Sequence, residues 1–246
     1  DKSCGYYYET DQTNFSKIPG SPIAYWVSEN LLASFTNGNK LGNIADSKQG
    51  IATADNNKYL RLWYEVSVEN VKFDAKTHEE ASLCSEKWYP YNKGGEFRKW
   101  YGNNDFVVNW YRDGKDLRND KKAVLRNRPF YFKPCFSWSL VTSSVAAFRY
   151  KPMGHIFDVA GMSCFSQTNL LYLLALCNTK VVMKILEIIA PTINYQCGDI
   201  ANIPVIVTAK ERKQNIEKRV ESCINISRKD WDSYETSWDF KRNPLI

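Results

Sequence analysis

The chain has 246 residues, of which 43% are hydrophobic and 24% are charged, and its formal net charge is +6. This length and composition can bury one large core or two modest ones, which excludes an intrinsically disordered protein. No apolar run is long enough to span a bilayer, and the start DKSCGYYYET lacks the basic and apolar regions of a secretory signal. The sequence therefore predicts a soluble, cytoplasmic protein with no membrane partner.

The cysteines and histidines give no indication of a metal site. Seven cysteines are scattered without a CxxC pair, and the two histidines are His78 and His155. Because no Cys/His cluster has the spacing of metal ligands, we predict no metal and interpret the cysteines as reduced thiols. His155 is interpreted as a strand-end residue.

The first part of the chain predicts one helix and one strand. Residues 1–18 are interpreted as an N-terminal segment at a boundary with a longer protein. After a Pro-Gly-Ser-Pro turn, apolar residues at mostly helical spacing predict a short amphipathic helix over 23–35. Alternation predicts a strand over 59–66. The polar loop 47–58 between them either contacts a partner or is simply solvated.

The most informative stretch is KWYPYNKGGEFRKWYGN, from Lys87 to Asn103. Aromatic residues and four basic residues surround the pair Gly94-Gly95, where the backbone can adopt positive φ. This pattern predicts a tight, exposed turn suited to phosphates and bases. The alternative is a β-hairpin whose aromatic residues fill the core while its cations are only solvated.

The positive charge of the chain is concentrated around this stretch. Residues 87–151 contain 14 Lys and Arg against five Asp and Glu, whereas the rest of the chain contains 19 against 22. The whole positive excess therefore lies in the middle third, which favours a nucleic-acid partner.

Further elements follow in order. We predict a strand over 106–111, a hairpin turn over 112–115 and a basic helix to about Arg126, whose charges either contact DNA or form a solvated face. Asp158, without a second carboxylate or a nucleophile fixed nearby, is interpreted as structural. The remaining strands are predicted over 135–141, 146–150, 156–159 and 198–207.

The C-terminal part is predicted to be mainly helical. Apolar helices are expected over 170–177 and 180–190, interrupted at Asn178. A charged helix from about residue 209 carries a narrow apolar stripe that requires a partner helix, either from this chain or from another part of the protein. The aromatic tail after it is expected to dock. Together these elements predict an α+β fold with a mixed β-sheet, packed helices and a C-terminal helical appendage.

Several motifs in the same order give the chain a family resemblance. YPYNKGGEFRKWYGN, GHIFDVAGMS, LLALCNTKVVMKIL, APTINYQCGDIANIPV and DWDSYETSWDF closely resemble the C-terminal region of the PglX family, the adenine-specific DNA methyltransferases of BREX phage-defence systems. The resemblance covers most of the chain from about residue 19. It implies a target recognition domain over 19–208, similar to those of type I and type IIG restriction-modification enzymes, and a C-terminal helix with an aromatic docking tail over 209–246.

The resemblance also implies partners and a cofactor for the parent protein. They are double-stranded DNA, the methyltransferase domain of the same parent chain, other phage-defence proteins and S-adenosylmethionine. This sequence departs from the complete family because it has no Pro-Pro pair, which the adenine-flipping Asn/Asp-Pro-Pro-Tyr/Phe motif requires, and no glycine-rich cofactor loop. We therefore expect no catalytic residue and no cofactor in this chain.

The candidate DNA-binding residues lie around the Gly-Gly turn and in the basic run after it. Arg98 and Asn92 are expected to read base edges, Tyr101 either contacts DNA or packs in the core, and the others neutralise phosphates. The phosphate-binding candidates are Lys93, Lys99, Arg112, Lys115, Arg118, Lys121, Lys122, Arg126 and Arg128.

Two alternatives to DNA binding remain open at this point. Fifteen Tyr and eight Trp also suit a module that binds a small ligand or carbohydrate by stacking. A protein-docking module could use the same basic face. An independent enzyme is disfavoured, because no nucleophile, base and orienting group can be assembled from the sequence.

Overall fold

A computed structural model describes residues 4–5, 7–143 and 145–246. Part of the predicted N-terminal segment, residues 1–3 and Tyr6, lies outside the described residues. Over the described part the fold is α+β, as predicted. Its eight α-helices are α1 (Glu29–Asn37), α2 (Asn56–Tyr59), α3 (His78–Leu83), α4 (Tyr111–Asn119), α5 (Leu170–Cys177), α6 (Lys180–Ile189), α7 (Cys197–Ala201) and α8 (Lys210–Trp231).

The strands are short and form two four-stranded sheets and one two-stranded pair. They are β1 (Asn39–Lys40), β2 (Asp46–Lys48), β3 (Leu60–Leu62), β4 (Trp88–Asn92), β5 (Phe106–Asn109), β6 (Cys135–Ser137), β7 (Arg149–Lys151), β8 (Ile156–Phe157), β9 (Ser163–Phe165) and β10 (Pro204–Val205). One sheet has the order β2-β9-β6-β7 and is antiparallel. The other has the order β3-β5-β4-β8, in which β4 and β8 are parallel.

Each four-stranded sheet has its own hydrophobic core. The β2-β9-β6-β7 sheet packs against α5, α6 and α8 around Phe136, Trp138 and Phe148. The β3-β5-β4-β8 sheet packs around Trp110 and Phe132. The basic segment after β5 therefore lies on the second core, away from the helical layer.

Several predicted element boundaries are wrong. Strands over 59–66, 135–141, 146–150 and 156–159 are replaced by the shorter β3, β6, β7 and β8, since pairing partners are available for only two or three residues of each run. The N-terminal helix begins at Glu29, where the Ser28 hydroxyl accepts a hydrogen bond from the Leu31 amide as an N-cap.

Two further predictions are corrected in the second half. The region 198–207 is not one strand, because α7 occupies its first residues and only Pro204–Val205 pairs. The stripe of α8 does pack on a partner helix, but that helix is α5 of this chain rather than one from another part of the protein, because Val220 and Ile224 join the same core as α5.

The C-terminal tail returns to the body of the fold. The indole Nε1 of Trp63 donates a hydrogen bond to the carbonyl of Thr236 at 2.9 Å, and the ring of Trp238 lies 5.2 Å from that of Phe73. The tail therefore docks on the side of the β3-β5-β4-β8 sheet. In the described part of the chain, no helix combines the length and apolar character needed to cross a membrane.

Candidate nucleic-acid interface

Three segments meet beside the parallel pair β4 and β8. The Lys93 ammonium, just after β4, donates to Asp158 Oδ2 at 2.8 Å and to Asn56 Oδ1 at 3.4 Å. The ammonium of Lys58, in α2, reaches Asp120 Oδ2 at 3.3 Å. The loop that contains α2 is thus tied both to the end of β4 and to the segment after α4.

An exposed group of cations lies on and after α4. Lys115 and Arg118 are three residues apart and therefore share one face of the helix, while Leu117 between them is buried. Arg112 precedes them, and Lys121 and Lys122 follow the end of the helix. All five are exposed and none makes an ion pair within the described ranges. We call this set the basic face: Arg112, Lys115, Arg118, Lys121 and Lys122.

The basic face borders an open groove of about 570 Å³. The groove is lined by Lys58, Asp116, Asn119, Asp120 and Lys121. The two carboxylates moderate the positive charge inside the groove, since the pKa of Asp120 is lowered to about 2 by hydrogen bonds from the Tyr59 hydroxyl and the Lys122 amide. Anion binding is therefore expected at the exposed cations of the basic face rather than inside the groove, beside these carboxylates.

The first turn of α4 is left-handed. Arg112, Asp113 and Gly114 have φ values of 49°, 56° and 71°, a conformation that costs an L-residue about 1–2 kcal/mol each. Glycine is required at position 114, because a Cβ there would meet the Trp110 ring at 2.7 Å. The predicted hairpin turn over 112–115 is thus wrong, although the chain does turn there, and the predicted helix to Arg126 ends at Asn119.

A buried carboxylate holds this turn in place. Asp113 accepts hydrogen bonds from Trp110 Nε1 at 3.1 Å, from His78 Nδ1 and from Arg128 Nη2. His78 Nε2 lies 2.9 Å from the carbonyl oxygen of Arg128, so both ring nitrogens face acceptors, which favours the protonated imidazole. The hydrogen bond to Asp113 raises the pKa of His78 against the opposing effect of burial.

The neighbouring His78 and Arg128 favour the ionised form of Asp113. Burial alone would raise its pKa, but the hydrogen bond and charge of His78, together with the charge of Arg128, lower it below the ordinary value. Neither His78 nor Asp113 was a candidate from the sequence. The signal available was the dipeptide Asp113-Gly114 after a strand. The pairing itself was not predictable from local pattern, because His78 and Asp113 are 35 positions apart in the sequence.

The two predicted base readers are occupied elsewhere. Asn92 is 0% exposed, and its amide donates to the carbonyl of Gly161 at 2.9 Å and to Ser163 Oγ at 3.2 Å. Arg98 pairs with Asp230 at 3.0 Å and lies over the ring of Trp231 at 4.9 Å. Because Asn92 is buried, it does not fit the role of a base reader. Arg98 instead connects the Gly-Gly segment to the end of α8 through its contacts with Asp230 and Trp231.

The positive φ predicted at the Gly-Gly turn is present, with values of 89° at Gly94 and 124° at Gly95. Most aromatic residues of this stretch nevertheless pack inward, although Phe97 is 50% exposed. Tyr101 is 3% exposed, with the Arg228 guanidinium 4.6 Å from its ring centre, which favours the packing alternative over DNA contact. Lys99 donates to the carbonyl of Asn178 at 3.0 Å.

The remaining candidates divide between structural and exposed positions. Lys93 is committed to Asp158, which also accepts the Tyr91 hydroxyl at 2.7 Å and so has the structural role expected of it. Arg128 is committed to Asp113, and Arg126 is half-buried. The structure therefore brings together five of the twelve candidates, those of the basic face.

No group of three or more His, Cys, Asp or Glu side chains in the described residues is arranged to hold a metal ion. The buried thiols of Cys135, Cys164 and Cys177 have raised pKa values because of burial, so they are poor nucleophiles and poor metal ligands.

Comparison with known proteins places this arrangement in a family context. No family model matches the chain. The chain is 39% identical over 251 residues to "Adenine-specific methyltransferase PglX" of Lacticaseibacillus casei (strain Zhang) and 37% identical over 245 residues to "Adenine-specific methyltransferase BrxX" of Escherichia coli O9:H4 (strain HS). Each alignment covers 98% of this chain but only 20% and 19% of the relative. The resemblance indicated by the motifs is thereby confirmed, and the chain spans about a fifth of the length of these relatives.

Proposed function

Because the chain is homologous to about a fifth of the length of PglX-family adenine-specific methyltransferases, we propose that it is the part of such an enzyme that recognises double-stranded DNA. The observation that carries the proposal is the basic face. Five exposed cations within 11 residues, without acidic partners in the described structure, form the electrostatic footprint expected of a phosphate-binding surface.

The proposed mechanism separates affinity from catalysis. The basic face neutralises phosphates and fixes the position of the duplex, while the loop with α2 and the groove beside Lys58 approach the adjacent bases. Methyl transfer belongs to another part of the parent enzyme, which would bind S-adenosylmethionine and flip the adenine. The methyltransferase domain of the same parent chain is then the main protein partner, in a cytoplasmic phage-defence system of the BREX type with other defence proteins.

The cations buried in the fold support this division. Arg149 and Lys151 are 1% and 0% exposed, and the Lys151 ammonium donates to the carbonyls of Gly102 and Asn103 at 2.9 Å each. Together with Arg98 and Lys93, they stabilise loops rather than bind a ligand. The part of the positive excess that can meet DNA is therefore mainly the basic face.

Binding to random-sequence duplex DNA across a salt series tests the proposal. If the five cations of the basic face each contact a phosphate, the plot of log K against log[salt] has a slope of about −4 to −5. Fluorescence anisotropy with a labelled duplex of about 20 base pairs measures it. Absence of binding at low salt, or a slope near zero, would contradict the proposal and favour a ligand-binding or protein-docking module.

A further inference from the structure

We infer that Arg112 reads a guanine through its major-groove edge, whereas the other cations of the basic face bind phosphates. This inference rests on the proposed function and adds the residue that gives it sequence preference. It starts from the left-handed turn at the beginning of α4, where two consecutive residues other than glycine have positive φ.

The turn is built to hold one geometry. Asp113 is 6% exposed and accepts three donors from three separate places in the chain, Trp110, His78 and Arg128. Gly114 donates its amide to the Trp110 carbonyl at 3.0 Å, which closes the turn on a fully buried indole. Unfavourable backbone conformations persist only where the surroundings over-determine them, and they concentrate at functional sites.

The side chain that this turn presents to solvent is Arg112. It is exposed, and its guanidinium lies 5.2 Å from the ring centre of Tyr111, a contact that leaves its N–H groups available. A planar guanidinium held in one orientation can donate two parallel hydrogen bonds to O6 and N7 of guanine. Lysines in the same position would provide charge without this geometry.

The neighbouring residues suit phosphate contacts instead. Lys115 and Arg118 lie on the regular part of α4, three residues apart on one helix face. The Arg118 guanidinium donates to the carbonyl of Arg112 at 3.2 Å, which further braces the turn. The arrangement thus combines one guanidinium on a constrained backbone turn with flanking charges on a helix and after its end, the usual division between reading and positioning contacts.

The experiment begins with selection of bound duplexes from a random-sequence library by the chain and by Arg112→Ala, Arg112→Lys and Lys115→Ala. The inference predicts an enriched motif in which one position requires guanine, loss of that requirement alone in Arg112→Ala, and a weaker requirement in Arg112→Lys, whose ammonium cannot donate two parallel hydrogen bonds in a fixed plane. Lys115→Ala, which removes an exposed side chain that makes no hydrogen bond to the turn among the described residues, is expected to enrich the unchanged motif with uniformly weaker binding. Because Arg112 is exposed, both of its variants are expected to fold, and thermal unfolding verifies this.

A second measurement replaces that guanine by 7-deazaguanine, which lacks the N7 acceptor. The chain should bind the modified duplex about 5- to 100-fold more weakly, and Arg112→Ala should bind the two duplexes equally. An unchanged motif in Arg112→Ala, an equal loss on every sequence, or no enriched motif would each overturn the inference while salt-dependent binding still supported the proposed function. Absence of salt-dependent binding would overturn both.

Discussion

The His155 side chain gives the sharpest prediction about how this fold responds to pH. Its imidazole is 6% exposed, and neither ring nitrogen has a hydrogen-bond partner in the described part of the chain. Burial, together with the charge of Lys151, lowers the pKa of His155 from 6.5 to about 3. Between these values the unfolded chain binds a proton that the folded chain does not.

The size of this pH effect on stability follows from the linkage between proton binding and folding. Because the folded-state pKa is depressed, the free energy of unfolding is unaffected above about pH 6.5 and falls by about 1.4 kcal/mol for each pH unit below it. At pH 5 the penalty from His155 is therefore about 2 kcal/mol. His155→Phe removes it and also removes two buried polar atoms without partners, so the variant should be at least as stable as the wild type at pH 7.5.

Urea unfolding of both proteins at pH 7.5, 6 and 5, followed by tryptophan fluorescence, measures their free energies of unfolding. Lys151, whose pKa burial lowers to about 7, and the other histidine, His78, are present in both proteins, so the difference between wild type and variant isolates His155. The wild type should lose about 2 kcal/mol more than His155→Phe between pH 7.5 and pH 5. Parallel losses in the two proteins would refute the reasoning and show that water or a rotated ring satisfies His155.

Two further predictions use the same assay. His78→Gln should have the opposite pH dependence, because the folded-state pKa of His78 is raised. The stabilisation that His78 provides is complete below about pH 6.5 and is lost as the pH rises through the folded-state pKa. A stability difference from wild type that does not shrink at alkaline pH would contradict the ion pair with Asp113. Lys151→Met should destabilise the fold by about 3 kcal/mol, because it leaves three oxygens at 102–104 buried without their donor; a loss below about 1 kcal/mol would mean that water takes its place.

The helices were the most predictable part of the fold. The apolar runs of α5 and α6 are long and are separated by Asn178 and Thr179, whose hydroxyl caps α6 by accepting from the Val182 amide at 3.2 Å. The strands were less predictable. Alternating or apolar runs over 59–66 and 135–141 indicated extended chain, but strand ends depend on which partner is available, and that is set by distant residues.

The helix against which α8 packs could likewise not be predicted from the sequence. Its stripe, which includes Ile216 and Val220, indicated that another helix was needed, but a stripe does not indicate whether the partner is α5 or a helix outside the chain. Their proximity is a property of the assembled core.

The candidate interface was predictable in charge but not in detail. The excess of Lys and Arg located the basic face, because net charge is additive along the sequence. Which cations remain free depends on tertiary contacts, as when Asp230 engages Arg98 across 132 residues and the Gly161 carbonyl engages the buried Asn92. Local patterns contain no information on such pairings.

A matched comparison of two variants tests the central claim most directly. One variant replaces four cations of the basic face by alanine, namely Lys115, Arg118, Lys121 and Lys122. The control replaces four exposed cations of α8 by alanine, namely Lys210, Arg212, Lys218 and Arg219, so that both variants lose the same charge. The account predicts that the first variant loses about 3 to 4 units from the slope of log K against log[salt] for duplex DNA, whereas the control keeps the wild-type slope. Equal slopes in the two variants would contradict it.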